Sequence, residues 1–383
     1  MGALLDASRL LSLRRRDFLR GVCGAGAAAA CGGVSAAAPS KSKVVIVTFG
    51  GGARDDETFA LRGQRNIPHI LNELIPQGTF FTRVVNRGIL GHYVATAGIA
   101  TGRYETFNNF VSQPPPAPTL FEYYRKHAGT PTSDCWVVAP SNGFERIGAS
   151  SARQYGPAYG AGVVLPKNLL SSAVSGQTAA GLRDFEHLLQ DSYEMPIPGT
   201  AASALNHDFN LTQLTSALKL SVDDFLRNAR ALSSPDELSV HVARQLMRAM
   251  APSLLFVTLH DMDVAHVGTY SLYLEGIQRS DRLCAVLWQA IQSDPEYKDR
   301  TTMLILPDFG RDADGDPGGN GFQHHRTGGP LARTTWLLAL GPHVRGNVTV
   351  DRLVECIDVV PTVGGLLGFD TPMAQGSRIA ELL

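Results

Sequence analysis

Three polar clusters carry the residue types that bind metal ions. Asp261, Asp263 and His266 fall within one short segment, Asp308 and Arg311 within another, and His324 and His325 end a glycine-rich stretch that begins at Gly318. Carboxylate oxygen combined with imidazole nitrogen suits zinc first, with manganese or iron as alternatives, whereas calcium and magnesium prefer oxygen alone. Asp263 and His266 stand close enough to hold one ion from a single turn, while His324 or His325 must arrive from a distant loop. Each residue also has a plainer use. Asp261 or Asp263 can cap the helix beginning near Thr269, Asp308 can hold Arg311 in an internal salt bridge, and paired histidines can decorate an exposed turn. Arg311 is equally suited to binding an anionic substrate. His92, at a helix start, is a catalytic candidate or a packing histidine, and Thr96 is a nearby hydroxyl that more often satisfies its own helix.

These clusters matter because of what precedes them. Leu254-Leu-Phe-Val-Thr-Leu259 and Thr301-Thr-Met-Leu-Ile-Leu306 are short apolar runs that stop near an aspartate, the pattern of buried parallel strands. Between them Tyr273, Ile277, Cys284, Leu287, Trp288 and Ile291 recur at helical spacing, with Asp281 among them as a hydrogen-bonding group inside the fold. Strand, helix and strand with a right-handed crossover send both aspartate loops to one sheet edge, where α/β folds bind ligands. Val44–Phe49 reads as another buried strand, and Gly50, Gly51 and Gly52 follow it as a tight turn without phosphate-loop spacing. Further strands are expected over 78–85 and 135–139 and near 335. Helices are expected over 68–75, 91–102, 221–232, 236–250 and 354–367, with Thr119 capping another. The Gly/Ser/Ala/Pro-rich stretch 141–200 reads as an irregular insertion over the active edge. The expected fold is α/β, a three-layer sandwich around a mostly parallel sheet.

Of the 383 residues 44% are hydrophobic and 18% charged, a globular composition, and 34 basic against 35 acidic residues leave no basic surplus for nucleic acid. Arg14-Arg15-Arg16-Asp17-Phe18-Leu19 precedes an Ala/Gly run and Ala36-Ala37-Ala38, so residues 1–38 resemble a twin-arginine signal peptide, with 39–383 as one domain. That implies the twin-arginine export machinery as a partner, a bacterial periplasm or envelope as destination, and no transmembrane helix in the mature chain. Removing the segment leaves a formal charge of about −4. Cys31 is not expected to be lipidated, because Ala28 stands where a lipoprotein signal usually has leucine. Cys135, Cys284 and Cys356 are widely spaced and read as buried small hydrophobes.

The succession VVIVTF, GHYVATAGIATG, DMDVAHVG, PDFGRD, a histidine-bearing glycine loop, GPHVRG and DVVPTVGGLLG resembles the alkaline phosphatase superfamily over most of 43–383. Within it the chain looks like exported, sulfatase-like bacterial proteins that carry Phe309-Gly310-Arg311 and a Gly-rich loop ending in histidine. The resemblance implies a two-metal hydrolase of small phosphate or sulfate esters. Asp261 or Asp263, His266 and one of His324 or His325 match the first metal, and Asp308 matches one ligand of the second. Three positions depart from the pattern. Phe49-Gly50-Gly51 stands where an aspartate is expected, Phe309 where a histidine is expected, and 88–92 offers no hydroxyl or thiol nucleophile. Two expectations follow: an ester hydrolase working through one retained ion, or a non-catalytic descendant serving binding or assembly at the envelope.

Overall fold

A computed structural model describes residues 42–174, 183–189 and 221–383. Residues 1–38, where a signal peptide is expected, and parts of 141–200 lie outside the described residues. In chain order the main elements are β1 (Lys43–Thr48), β2 (Thr79–Val85), α1 (His92–Thr101), α2 (Leu120–Ala128), β3 (Cys135–Val138), β4 (Gly162–Val164), α3 (Pro166–Val174), α4 (Val222–Ala229), α5 (Pro235–Met250), β5 (Leu254–Thr258), α6 (Tyr270–Ser293), β6 (Thr301–Leu306), β7 (Thr334–Leu340), β8 (Val348–Glu355) and α7 (Val359–Leu367). The strands form one sheet in the order β4-β3-β5-β1-β6-β7-β2-β8. All pairings are parallel except those of β7 with β6 and with β2.

Alternation along the strands builds the three layers. Val45 and Val47 of β1, with Leu255, Val257, Met303 and Ile305, face the core shared with α5 and α6. Val44 and Ile46, with Leu254, Phe256, Leu304 and Leu306, face the core shared with α1, α2 and α7. Every residue of β1, β5 and β6 is buried, so both faces of the central strands are covered. Burying each such Val, Leu or Ile contributes roughly 1.5–3 kcal/mol relative to leaving it exposed. Thr119 closes a capping box with Glu122 at the start of α2. The expected three-layer, mostly parallel sandwich is the observed fold.

Two local expectations differ, and one expected helix takes a π form. The last helix, expected from Val354, begins at Val359, because Val354 and Glu355 end β8, which pairs in parallel with β2. Part of the stretch 141–200 is regular, since β4 is the sheet's edge strand, paired with β3, and α3 follows. Around Pro68 to Ile75 the chain makes a π-helical turn, Ile70–Leu74, at the head of which Asp281 accepts from the His69 and Ile70 N–H groups at 3.0 and 2.7 Å.

Register places the site. Thr48 lies level with Thr258 on one side and with Leu306 on the other. The loops 49–54, 259–266 and 307–312 therefore leave the sheet side by side at its carboxyl edge. No described helix is long and apolar enough to cross a membrane.

Candidate metal centre

After β5 the chain tightens into a 3-10 spiral, Asp261–His266, with the Asp263 N–H donating to the His260 carbonyl. Three residues per turn put Asp263 and His266 on one side and turn Asp261 away. His266 Nε2 lies 3.0 Å from Asp263 Oδ1. Asp261 instead pairs with Arg279 at 2.9 Å and accepts from the Asp236 N–H, while Asp236 accepts from the N–H groups of His260 and Asp261. Asp261, one of two alternatives in the sequence, thus anchors the base of the loop and Asp263 faces the site.

His92 enters from the first turn of α1. Its Nδ1 is 2.5 Å from Asp308 Oδ2 and its Nε2 is 2.9 Å from Asp263 Oδ1, so a carboxylate faces each ring nitrogen. Burial opposes charge on this ring, yet Asp263 and Asp308 together outweigh it and raise His92 to about 10. Burial likewise works against the Asp263 carboxylate, but the neighbouring His92 prevails and holds it well below the usual range. The His92 ring stacks on Phe309 at 4.5 Å between centroids. Thr96, one turn further along α1, is buried at 1% exposure.

The glycine loop brings in the two remaining histidines. His325 Nε2 is 3.0 Å from His266 Nε2, and its Nδ1 is 2.8 Å from the Leu90 carbonyl. Because only a protonated Nδ1 can donate to that carbonyl, Nε2 keeps its lone pair toward the cluster. Burial first, then His92 and Arg311, push His325 down to about 2. His324 lies one step outward, its Nδ1 3.1 Å from His266 Nδ1. His92, Asp263, His266 and His325 each offer one ligand atom, and these atoms lie within 4.8 Å of one another.

A carboxylate and imidazoles fit a zinc-type ion, and the surrounding bonds fit it too. The Leu90 carbonyl orients His325, the second contact that metal-binding histidines ordinarily make, while Asp308 holds His92 beside the other three. Asp308 itself touches His92 and is not one of the four residues whose ligand atoms converge. Sequence reasoning passed over His260, whose Nε2 is 3.4 Å from Asp263 Oδ2 and whose buried ring is held neutral, near 3, chiefly by desolvation. Its only signal is its place at the end of a buried strand. Asp236 was also passed over. From 141–200, Ser141 Oγ meets the Tyr93 hydroxyl at 2.9 Å and Phe144 lies edge-on to His260 at 5.6 Å.

Arg311 occupies neither expected role. Its side chain is 0% exposed; Nε donates to the Gly52 carbonyl, Nη1 to that of Phe322, and Nη2 to Gly51, Met262 and Asp263 Oδ1. No face of the guanidinium remains for a substrate, and its carboxylate partner is Asp263, not Asp308. Cys135, Cys284 and Cys356 are buried free thiols.

No protein-family model and no curated protein sequence matches the chain. Solved structures do. The alkaline phosphatase PafA aligns with a TM-score of 0.53 at 12% identity, covering 91% of this chain and 100% of that one. The phosphonate monoester hydrolase from Silicibacter pomeroyi aligns at 0.52 and 13%, covering 89% and 76%. The lipoteichoic acid synthase LtaP from Listeria monocytogenes aligns at 0.51 and 12%, covering 89% and 74%. At such identities the likeness is one of fold, and the fold is alkaline phosphatase-like, as in PafA.

Proposed function

We propose that the chain is an exported hydrolase of small phosphate or sulfate esters that works with one divalent ion, zinc by its donor set. The observation that carries this reading is the convergence of His92, Asp263, His266 and His325 within 4.8 Å at the carboxyl edge of the sheet. PafA, named an alkaline phosphatase, and the Silicibacter pomeroyi phosphonate monoester hydrolase support it through shared fold. The amino-terminal twin-arginine pattern supports placing the activity in the periplasm or envelope.

Asp263, His266 and His325 are assigned as the ion's ligands, since a catalytic site leaves one position open. The bound ion supplies a Lewis acid and a water of lowered pKa, which serves where the chain offers no hydroxyl or thiol nucleophile near 88–92. His92 stands between Asp263 and Asp308 with both ring nitrogens facing carboxylates, an arrangement that favours the doubly protonated ring. It is placed to hold a positive charge beside an anionic ester and to deliver the Nε2 proton to a leaving oxygen.

One observation favours the non-catalytic alternative. Asp263 and Asp308 already face His92 and Arg311, so the cluster is charge-compensated by its own side chains. Metal analysis of purified protein, with p-nitrophenyl phosphate, bis-p-nitrophenyl phosphate and p-nitrophenyl sulfate as substrates, separates the two. Turnover that follows added zinc or manganese and vanishes in His266→Ala supports the hydrolase. Bound metal without turnover across the panel supports the binding or assembly role.

A further inference from the structure

The loop after β1, the Asp263 loop and the histidine loop all converge on one buried guanidinium. We propose that Arg311 is a positioning residue that acts as the site's second fixed cation, so that the folded chain takes up one metal ion, not two. This rests on the metal-binding part of the reading above but not on any activity.

Three observations carry it. First, the guanidinium bonds all three loops at once: the Gly51 and Gly52 carbonyls, the Met262 carbonyl with Asp263 Oδ1, and the Phe322 carbonyl just before His324. A permanently charged planar fork with five donors can hold such a set, whereas a lysine ammonium has three donors on a flexible stem.

Second, the turn after β1 excludes a carboxylate. A Cβ at Gly50 would stand 2.1 Å from the Leu259 carbonyl oxygen, and one at Gly51 2.8 Å from the Asp263 nitrogen. Gly51 and Gly52 also have φ of +90° and +69°, where a side chain is strained. This turn offers carbonyl oxygens to a cation and leaves no room for a ligand-bearing side chain.

Third, Arg311 lies 3.2 Å from Asp263 Oδ1, the oxygen that also faces His92 and His266. One cation next to that oxygen is thus already covalently part of the chain. An ion at His266 and His325 would share Asp263 with the guanidinium, and a second ion would have to displace it.

The test is zinc titration of metal-free protein, following heat of binding and zinc content after desalting, with circular dichroism to confirm folding. The wild type should bind one zinc per chain. Arg311→Met should weaken that binding by about 10–100-fold, as lost orienting contacts do, and Arg311→Lys should recover part of the loss. A stoichiometry of two, or unchanged affinity in a folded Arg311→Met, overturns the inference while leaving a metal-dependent hydrolase standing. If Arg311→Met does not fold, the wild-type stoichiometry still decides. No zinc uptake removes both the metal reading and this inference; one zinc without turnover removes only the hydrolase.

Discussion

Asp281 offers a sharp test of how the scaffold holds the loops. It sits on the inner face of α6, the helix linking the two strands that lead into the site, with 0% exposure. It holds the His69 and Ile70 N–H groups with separate oxygens. Burial is the largest influence and pushes its carboxyl up to about 6, against those two donors, from an ordinary value of about 3.9. The folded state therefore binds this proton more tightly than the unfolded chain does. Between about pH 4 and pH 6 the unfolded chain carries fewer protons, so stability from this group is full below about pH 4 and is lost as pH rises through about 6. Two pKa units amount to roughly 3 kcal/mol. Asp281→Asn removes the titration and leaves one N–H facing an amide NH2, a pH-independent cost of about 1–3 kcal/mol. The assay is urea unfolding of both metal-free proteins from pH 4 to pH 7. The wild type's advantage should shrink by about 3 kcal/mol across that range. A difference that stays flat, or grows with pH, would refute the reasoning.

Three shorter expectations follow from the same geometry. Asp263→Asn should lower zinc affinity by more than about 100-fold, whereas Asp261→Asn should change it by less than about tenfold and destabilise the chain by about 1–3 kcal/mol, measured by titration calorimetry and urea unfolding. Cys135, Cys284 and Cys356 have thiols pushed up by burial, so peptide mapping after iodoacetamide should find all three unlabelled in native protein and labelled in urea. Thr119→Ala breaks the capping box of α2 and should cost about 1 kcal/mol in urea unfolding without changing zinc stoichiometry.

The central strands were legible because burial on both faces leaves a continuous apolar run, and β1, β5 and β6 each have one. β8 was not, because its burial is mostly partial and its Thr349, Asp351 and Arg352 break that run; only pairing with β2 makes it a strand. β4 spans three residues, too few for a periodic signal. Within the site, composition named the ligand types but could not choose between Asp261 and Asp263. That choice is made by the turn: positions 263 and 266 are one 3-10 turn apart and superpose, whereas 261 projects toward α5 and α6. His92 was legible as a polar residue at a helix start. Its setting between two carboxylates, one after β5 and one after β6, exists only once the strands are in register.

The positions at which the chain departs from the pattern it resembles have a common explanation in these contacts. Where a carboxylate is missing after β1, the Gly51 and Gly52 carbonyls meet Arg311. Where Phe309 replaces a histidine, its ring lies against His92 at 4.5 Å and His325 at 4.6 Å, forming an apolar wall for two imidazoles. A phenyl ring there donates nothing to an ion, but it restricts both rings to the orientations in which His92 meets Asp263 and His325 meets His266. Both changes replace ligand donors with groups that orient the remaining ones. A chain that had merely lost its second ion would be left with a gap among unpaired carboxylates, each costly to bury. Here the positive charge is supplied by a guanidinium and the volume by a phenyl ring, and the arrangement around Asp263 is closed on those two sides.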